Sequence, residues 1–183
     1  MSGLRCGAAV VVAGCAFVLS GCEQEVTEKL KFGESVTVSL IDGTVGIAVL
    51  SIERGTTSDL DGLVYTMSNS PVTSGTPYYV RYRLTRTSAG ADVGTHFVVE
   101  AGRNRLGEVT INPPLYSGFG TQSGVEKECP AVRPDEFRAL SQGQSLEGCK
   151  AFVAPSAFGG EAPTRVQWVP YEGRVVAIWG PRA

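Results

Sequence analysis

Beyond Gly33 the chain alternates between apolar and polar positions. Val36, Val38 and Leu40 interleave with Ser35, Thr37 and Ser39 and run into the turn residues Asp42-Gly43, a period of two that predicts a half-buried strand. From Val45 to Ile52 the apolar positions Ile47, Val49, Leu50 and Ile52 change phase between Val49 and Leu50, so this strand carries a bulge there or is buried on both faces. Gly55 to Gly62 reads as a polar turn, Val64 to Met67 as a short extended piece, and Asn69 to Pro77 as a loop. The clearest strand is Tyr78 to Arg86. Tyr78, Val80, Tyr82 and Leu84 fall on one face, predicted to be core, and Tyr79, Arg81, Arg83 and Thr85 on the other, predicted to be wet. Further strands are expected over Thr95 to Ala101, Leu106 to Ile111, Leu146 to Val153, Arg165 to Val169 and Arg174 to Trp179. Only Pro134 to Leu140, with Phe137 and Leu140 on one side and Asp135 near its start, reads as a helical turn. With no long helical period and no repeat, these strands predict an all-β chain, an antiparallel sandwich with at most one short helical turn.

The N-terminus is patterned differently. Arg5 precedes an unbroken apolar and small-residue run from Cys6 to Leu19, shorter than the roughly 20 residues of a permanent membrane span. The small residues Ser20 and Gly21 then give a peptidase access to the backbone, so the run reads as an export signal. The segment Leu19-Ser20-Gly21-Cys22 resembles the lipobox of bacterial lipoproteins. That resemblance implies that residues 1–21 are removed and that Cys22, carrying a diacylglyceryl thioether, becomes the first residue. A thiolate is nucleophilic enough to accept the lipid, and two acyl chains anchor durably where one binds only reversibly. The alternative is an ordinary secretory signal whose cleavage site happens to precede a cysteine. Lone Arg5 gives no twin-arginine motif. Residues 22–31 then form a lipidated N-terminus and polar tether, and residues 32–183 the folded domain.

Composition narrows the function classes. With 183 residues, 16 Lys+Arg and 18 Asp+Glu, the net charge of −2 lacks the basic excess that nucleic acid demands, so nucleic acid is not an expected partner. The length suits one domain and falls short of a TIM barrel, typically about 250 residues. Cys6 and Cys15 leave with the signal and Cys22 is consumed by lipid. Cys129 and Cys149 remain, and in an exported domain they read as a disulfide closing a loop of about twenty residues. Two buried free thiols are the alternative; the spacing does not suit zinc.

The lipobox, the tether, the opening Gly33-x-x-Val36-x-Val38, the central Tyr78-Tyr79-Val80-Arg81-Tyr82 and the closing Val166-x-Trp168 together resemble the immunoglobulin-like secreted antigens and lipoproteins of actinobacteria. The resemblance spans most of residues 32–180 and implies an extracytoplasmic immunoglobulin-like β-sandwich. It brings no catalytic residue with it. The antibody-type pair of core-strand cysteines bracketing a tryptophan is missing from this chain.

Candidate chemistry is sparse. His96, the one histidine, precedes Phe97 and Val98 and reads as a strand-edge residue rather than a catalytic imidazole. No Gly-x-Ser-x-Gly elbow and no Ser-x-x-Lys motif occurs in the chain. Gly118 to Gly124 is spaced one residue too long for a dinucleotide fingerprint, and Asp59-Leu60-Asp61-Gly62 lacks the further ligands of a calcium loop. The row Tyr79, Arg81 and Arg83 is the candidate binding surface, since aromatic and guanidinium groups suit anionic or aromatic contacts; an ordinary solvated strand face is the alternative. The expected protein is a membrane-tethered, non-catalytic interaction module of the bacterial cell envelope. It needs no cofactor and no metal, touches the membrane through its N-terminal lipid, and meets an envelope protein, a glycan or a host factor. A small envelope hydrolase with an unrecognised site is the competing expectation.

Overall fold

The structure is a computed structural model that describes residues 27–40, 43–61, 63–68, 70–88, 96–111, 128–159, 161–170 and 175–181. The export segment, Cys22 and the Gly118–Gly124 loop lie outside the described residues.

The strands are β1 (Glu28–Leu30), β2 (Ser35–Leu40), β3 (Gly43–Arg54), β4 (Leu63–Tyr65), β5 (Thr76–Arg86), β6 (Phe97–Ala101), β7 (Asn104–Arg105), β8 (Gly107–Ile111), β9 (Ser145–Ala154), β10 (Arg165–Trp168) and β11 (Ala177–Trp179). Among the described residues they form a smaller five-stranded sheet, β1-β11-β10-β6-β7, and a larger six-stranded sheet, β2-β3-β5-β9-β8-β4. All neighbours are antiparallel except β1 and β11. The fold is an immunoglobulin-like β-sandwich.

The inner faces follow the alternation in the chain. Val36 and Val38 stand opposite Ile47 and Val45 in the β2–β3 hairpin, and all four are buried. Tyr78, Val80, Tyr82 and Leu84 continue that face along β5. Against them the smaller sheet sets Phe97, Val99, Val166, Trp168, Ala177 and Trp179. The rings of Tyr82 and Phe97 lie 5.2 Å apart, and those of Phe97 and Trp168 meet edge to face at 5.4 Å. Trp179 donates its indole N–H to the Glu34 carbonyl at 2.9 Å, which satisfies the polar end of a fully buried ring. The expected phase change in β3 is a register shift between Val49 and Ser51, with Leu50 as the extra residue.

The short helix α1 (Pro134–Ala139) stands where the helical turn was expected, with proline at its first turn where no N–H partner is needed. Phe137 is 2% exposed and belongs to the main core, so the helix closes one margin of the sandwich. Arg86 holds its C-terminal end by donating to the carbonyls of Arg138, at 2.6 Å, and Leu140.

One boundary is corrected. Glu28–Leu30, expected in the polar tether, form an edge strand parallel to Ala177–Trp179. Glu28 donates to the Val176 carbonyl at 2.9 Å, and Leu30 accepts from Gly180 at 3.0 Å. Main-chain pairing at an edge needs no apolar alternation, so Glu-Lys-Leu carries no strand signal. Among the described residues no helix is long and apolar enough to cross a membrane.

Candidate functional site

The outward side chains of β5 all lie on the larger sheet, and their surroundings change sharply between Tyr79 and Arg81. Tyr79 is 5% exposed, against the expectation of a wet position. It belongs to a second apolar cluster with Leu60, Leu63, Val72, Val109, Cys129, Cys149, Ala151 and Val153. The cover comes from the excursion between β3 and β5, which contains a 3-10 turn at Thr57–Leu60, and from the segment that carries Cys129.

The turn folds onto Tyr79 through Asp59. Its Oδ2 accepts the phenol O–H of Tyr79 at 2.9 Å and the Thr56 backbone N–H at 2.8 Å, while Oδ1 accepts the Thr56 hydroxyl at 2.7 Å. A side chain at Gly55 would place its Cβ 2.7 Å from both Asp59 Oδ2 and Tyr79 Cε2, so the bare backbone is what lets the turn come this close. The Thr56 N–H, then its hydroxyl and that of Tyr79, hold the Asp59 carboxyl below the ordinary carboxylate range against a smaller opposing effect of burial. Burial, then the hydrogen bond and charge of Asp59, push the Tyr79 phenol well above its ordinary value of 10.0. Asp59 is therefore a turn-capping carboxylate committed to the fold.

The Cys129–Cys149 disulfide secures the other cover. Its Cα atoms are 4.8 Å apart and its cysteines 20 residues apart in sequence. Cys149 faces outward on β9 and donates its backbone N–H to the Pro130 carbonyl at 2.8 Å. The bridge thus ties the chain leading into α1 to the sheet, as the cysteine spacing led one to expect.

Beyond Tyr79 the face is polar. Arg81 pairs with Glu53 of β3 at 3.1 Å, and Arg83 pairs with Glu147 of β9 at 2.6 Å, directly opposite in register. Thr85 and Ser145 share a hydroxyl hydrogen bond of 2.8 Å. The two guanidinium groups are therefore neutralised by carboxylates on neighbouring strands, and this half presents a mixed-charge strip rather than a cationic one. Sequence reasoning missed Glu53 and Glu147, because strand register decides who faces whom.

The candidate row is thus split: Arg81 and Arg83 share a surface, and Tyr79 lies beneath the cover. His96 is half-buried at the mouth of β6, where its carbonyl accepts the Val169 N–H at 3.1 Å. Asp59 and Asp61 flank the end of the 3-10 turn, while Gly62 lies outside the described residues. Among the described residues no three His, Cys, Asp or Glu side chains converge as metal ligands would.

No protein-family model matches the chain, and no curated protein sequence matches it. Among solved structures the chain is similar to MPT63, a secreted protein from Mycobacterium tuberculosis. The superposition has a TM-score of 0.55 at 15% sequence identity, covering 85% of this chain and 98% of that one. At that identity the likeness is one of fold.

Proposed function

We propose that the protein is a lipid-tethered, extracytoplasmic module of the bacterial envelope that acts by binding and performs no chemistry. The observation that carries the reading is the Cys129–Cys149 bridge, a covalent staple that persists in oxidising compartments, in a chain that begins with an export-type segment. The fold shared with a secreted mycobacterial protein supports the same compartment. The non-catalytic part rests on how the titratable groups are used. Asp59 caps a turn, Tyr79 anchors a cover, and Arg81 and Arg83 are paired across strands. The strip of half-buried Arg81 and exposed Arg83, Glu53 and Glu147 is the binding surface in this reading, suited to an envelope protein or glycan that offers both donors and acceptors.

Intact mass after detergent extraction tests the tether: the protein begins at Cys22 with a diacylglyceryl addition, and Cys22→Ala releases it from membranes. A Cys22→Ala chain that stays membrane-bound at unchanged mass contradicts the tether. For the binding surface, Arg81→Ala with Arg83→Ala should reduce capture of envelope components by at least half while leaving the circular dichroism spectrum intact. Undiminished capture removes the strip from consideration.

A further inference from the structure

The folded domain begins closer to Cys22 than the alternation in the chain suggests. Glu28–Leu30 pair into the smaller sheet, and just before them the Thr27 hydroxyl donates to the Val175 carbonyl at 2.9 Å. Cys22 stands five residues ahead of Thr27, and five residues at full extension span no more than about 18 Å. On the lipid-tether reading, on which this inference rests, so short a link holds the first strand against the bilayer.

The side of the sandwich brought to the surface is the one where β1, an edge of the smaller sheet, turns into β2, an edge of the larger. Lys29, Lys31 and Phe32 are exposed there. Phe32 sits at the corner of a tight turn: Glu34 donates its N–H to the Lys31 carbonyl at 3.1 Å, and Gly33, at φ +89, donates to the Val49 carbonyl at 2.7 Å. With 37% exposure it is, beside Met67, one of two large hydrophobic residues left exposed among the described residues. Two carboxylates share this side. Glu34 accepts the Lys31 backbone N–H at 2.8 Å, which commits it to the turn, and Glu28 stands at the start of the strand.

We infer that the Lys29–Phe32 edge is a second membrane contact, at which the two ammonium groups meet lipid phosphates and the Phe32 ring enters the interfacial layer of the bilayer that holds Cys22. The reach of the chain selects this occupant. From Thr27 to Phe32 the backbone covers about 17 Å at the rise of a strand, so β1 can lie along the surface within the span the tether allows. A link this short keeps the edge at an effective concentration on the order of millimolar, so two cations and one ring fix an orientation although they would hold the free domain only weakly. The β1–β2 side then faces the bilayer. The β4 edge, five inter-strand spacings or about 24 Å from β2, faces away.

Quenching by brominated lipid tests the contact. The mature lipidated protein is reconstituted into phosphatidylglycerol vesicles carrying bromine high on the acyl chains, with wild type, whose Trp168 and Trp179 are buried in the core, as the baseline. The emission added by Phe32→Trp should be quenched at least about twofold more than that added by Met67→Trp, which lies beyond β4. Lys29→Glu with Lys31→Glu in the Phe32→Trp chain should cut that quenching by about half or more, with the circular dichroism unchanged. Intact mass separates the two readings: a chain without the acyl addition at Cys22 ends the tether and this inference together. A lipidated chain whose Phe32→Trp emission is quenched no more than that of Met67→Trp, or whose quenching ignores the paired lysine changes, overturns this inference and leaves the tether standing.

Discussion

Tyr79 and Arg83 point the same way from one strand, two pleats apart, and live in different solvents. Over Tyr79 the chain has built a second small core, roofed by the Thr57–Leu60 turn and bolted by the Cys129–Cys149 bridge. Over Arg83 there is water and a cross-strand carboxylate, with the side chains of Arg83 and Glu147 46% and 60% exposed. One face of one sheet thus serves stability at one end and presents polar surface at the other. A period of two specifies a face, and what comes to rest on that face is decided elsewhere in the chain.

The strongest way to break this contrast is Tyr79→Ala. Truncating a buried aromatic and leaving Asp59 without its phenol partner should lower the unfolding free energy by about 3 to 4 kcal/mol, read from urea titration. A loss under about 1 kcal/mol would mean that the cover is not a core.

Opening the bridge comes next. The double variant Cys129→Ala/Cys149→Ala should cost about 3 kcal/mol in the same assay, the chain-entropy value for a loop of that size. Hydrogen exchange should rise first near Leu60, Val72 and Ala151, and more slowly around Trp168 and Trp179. Equal loss of protection in both clusters would show that the two cores unfold as one unit.

Tyr79→Phe sharpens the comparison by keeping the ring and removing the hydroxyl, with an expected loss of about 1 kcal/mol near neutral pH. Its signature lies in pH. The phenol's value is raised on folding, so its contribution is fully present below the unfolded value of 10.0 and is lost as the pH rises beyond it. Wild type should lose stability above that point more steeply than Tyr79→Phe. Asp59 works with the opposite sign: its lowered carboxyl stabilises above the unfolded value of 3.8 and ceases to do so as the pH falls through the folded one. Asp59→Asn should flatten that acid limb.

The smallest effect belongs to Arg83→Ala, a solvated pair on the open half, expected to change stability by about 0.5 kcal/mol or less. A loss comparable to that of Tyr79→Ala would show that the strip is packed rather than free to meet a partner.

Much of this was legible in the chain. The row Tyr78, Val80, Tyr82, Leu84 announced an inner face, and the slip at Leu50 announced the bulge. Pro134 announced the start of α1, and Cys129 and Cys149, the two cysteines beyond the N-terminal segment, announced their bond. Each signal is local, a matter of period, of a restricted backbone or of a reactive type that pairs with its kind. The Tyr79 environment left no such trace, since Tyr79 alternates with the core row just as Arg81 does.

What the amino-acid order determined by itself is therefore most of the strands, the inward faces of Ser35–Leu40 and Thr76–Arg86, and the covalent link. Only the tertiary structure decided that Glu28–Leu30 join a sheet by main chain alone, that Glu147 faces Arg83 across 64 residues of sequence, and that Tyr79 is roofed while Arg81 is not. The physical reason is common to all three. Register, edge pairing and cover are contacts between segments distant along the chain, and hydrophobic alternation records which way a side chain points without recording what it meets.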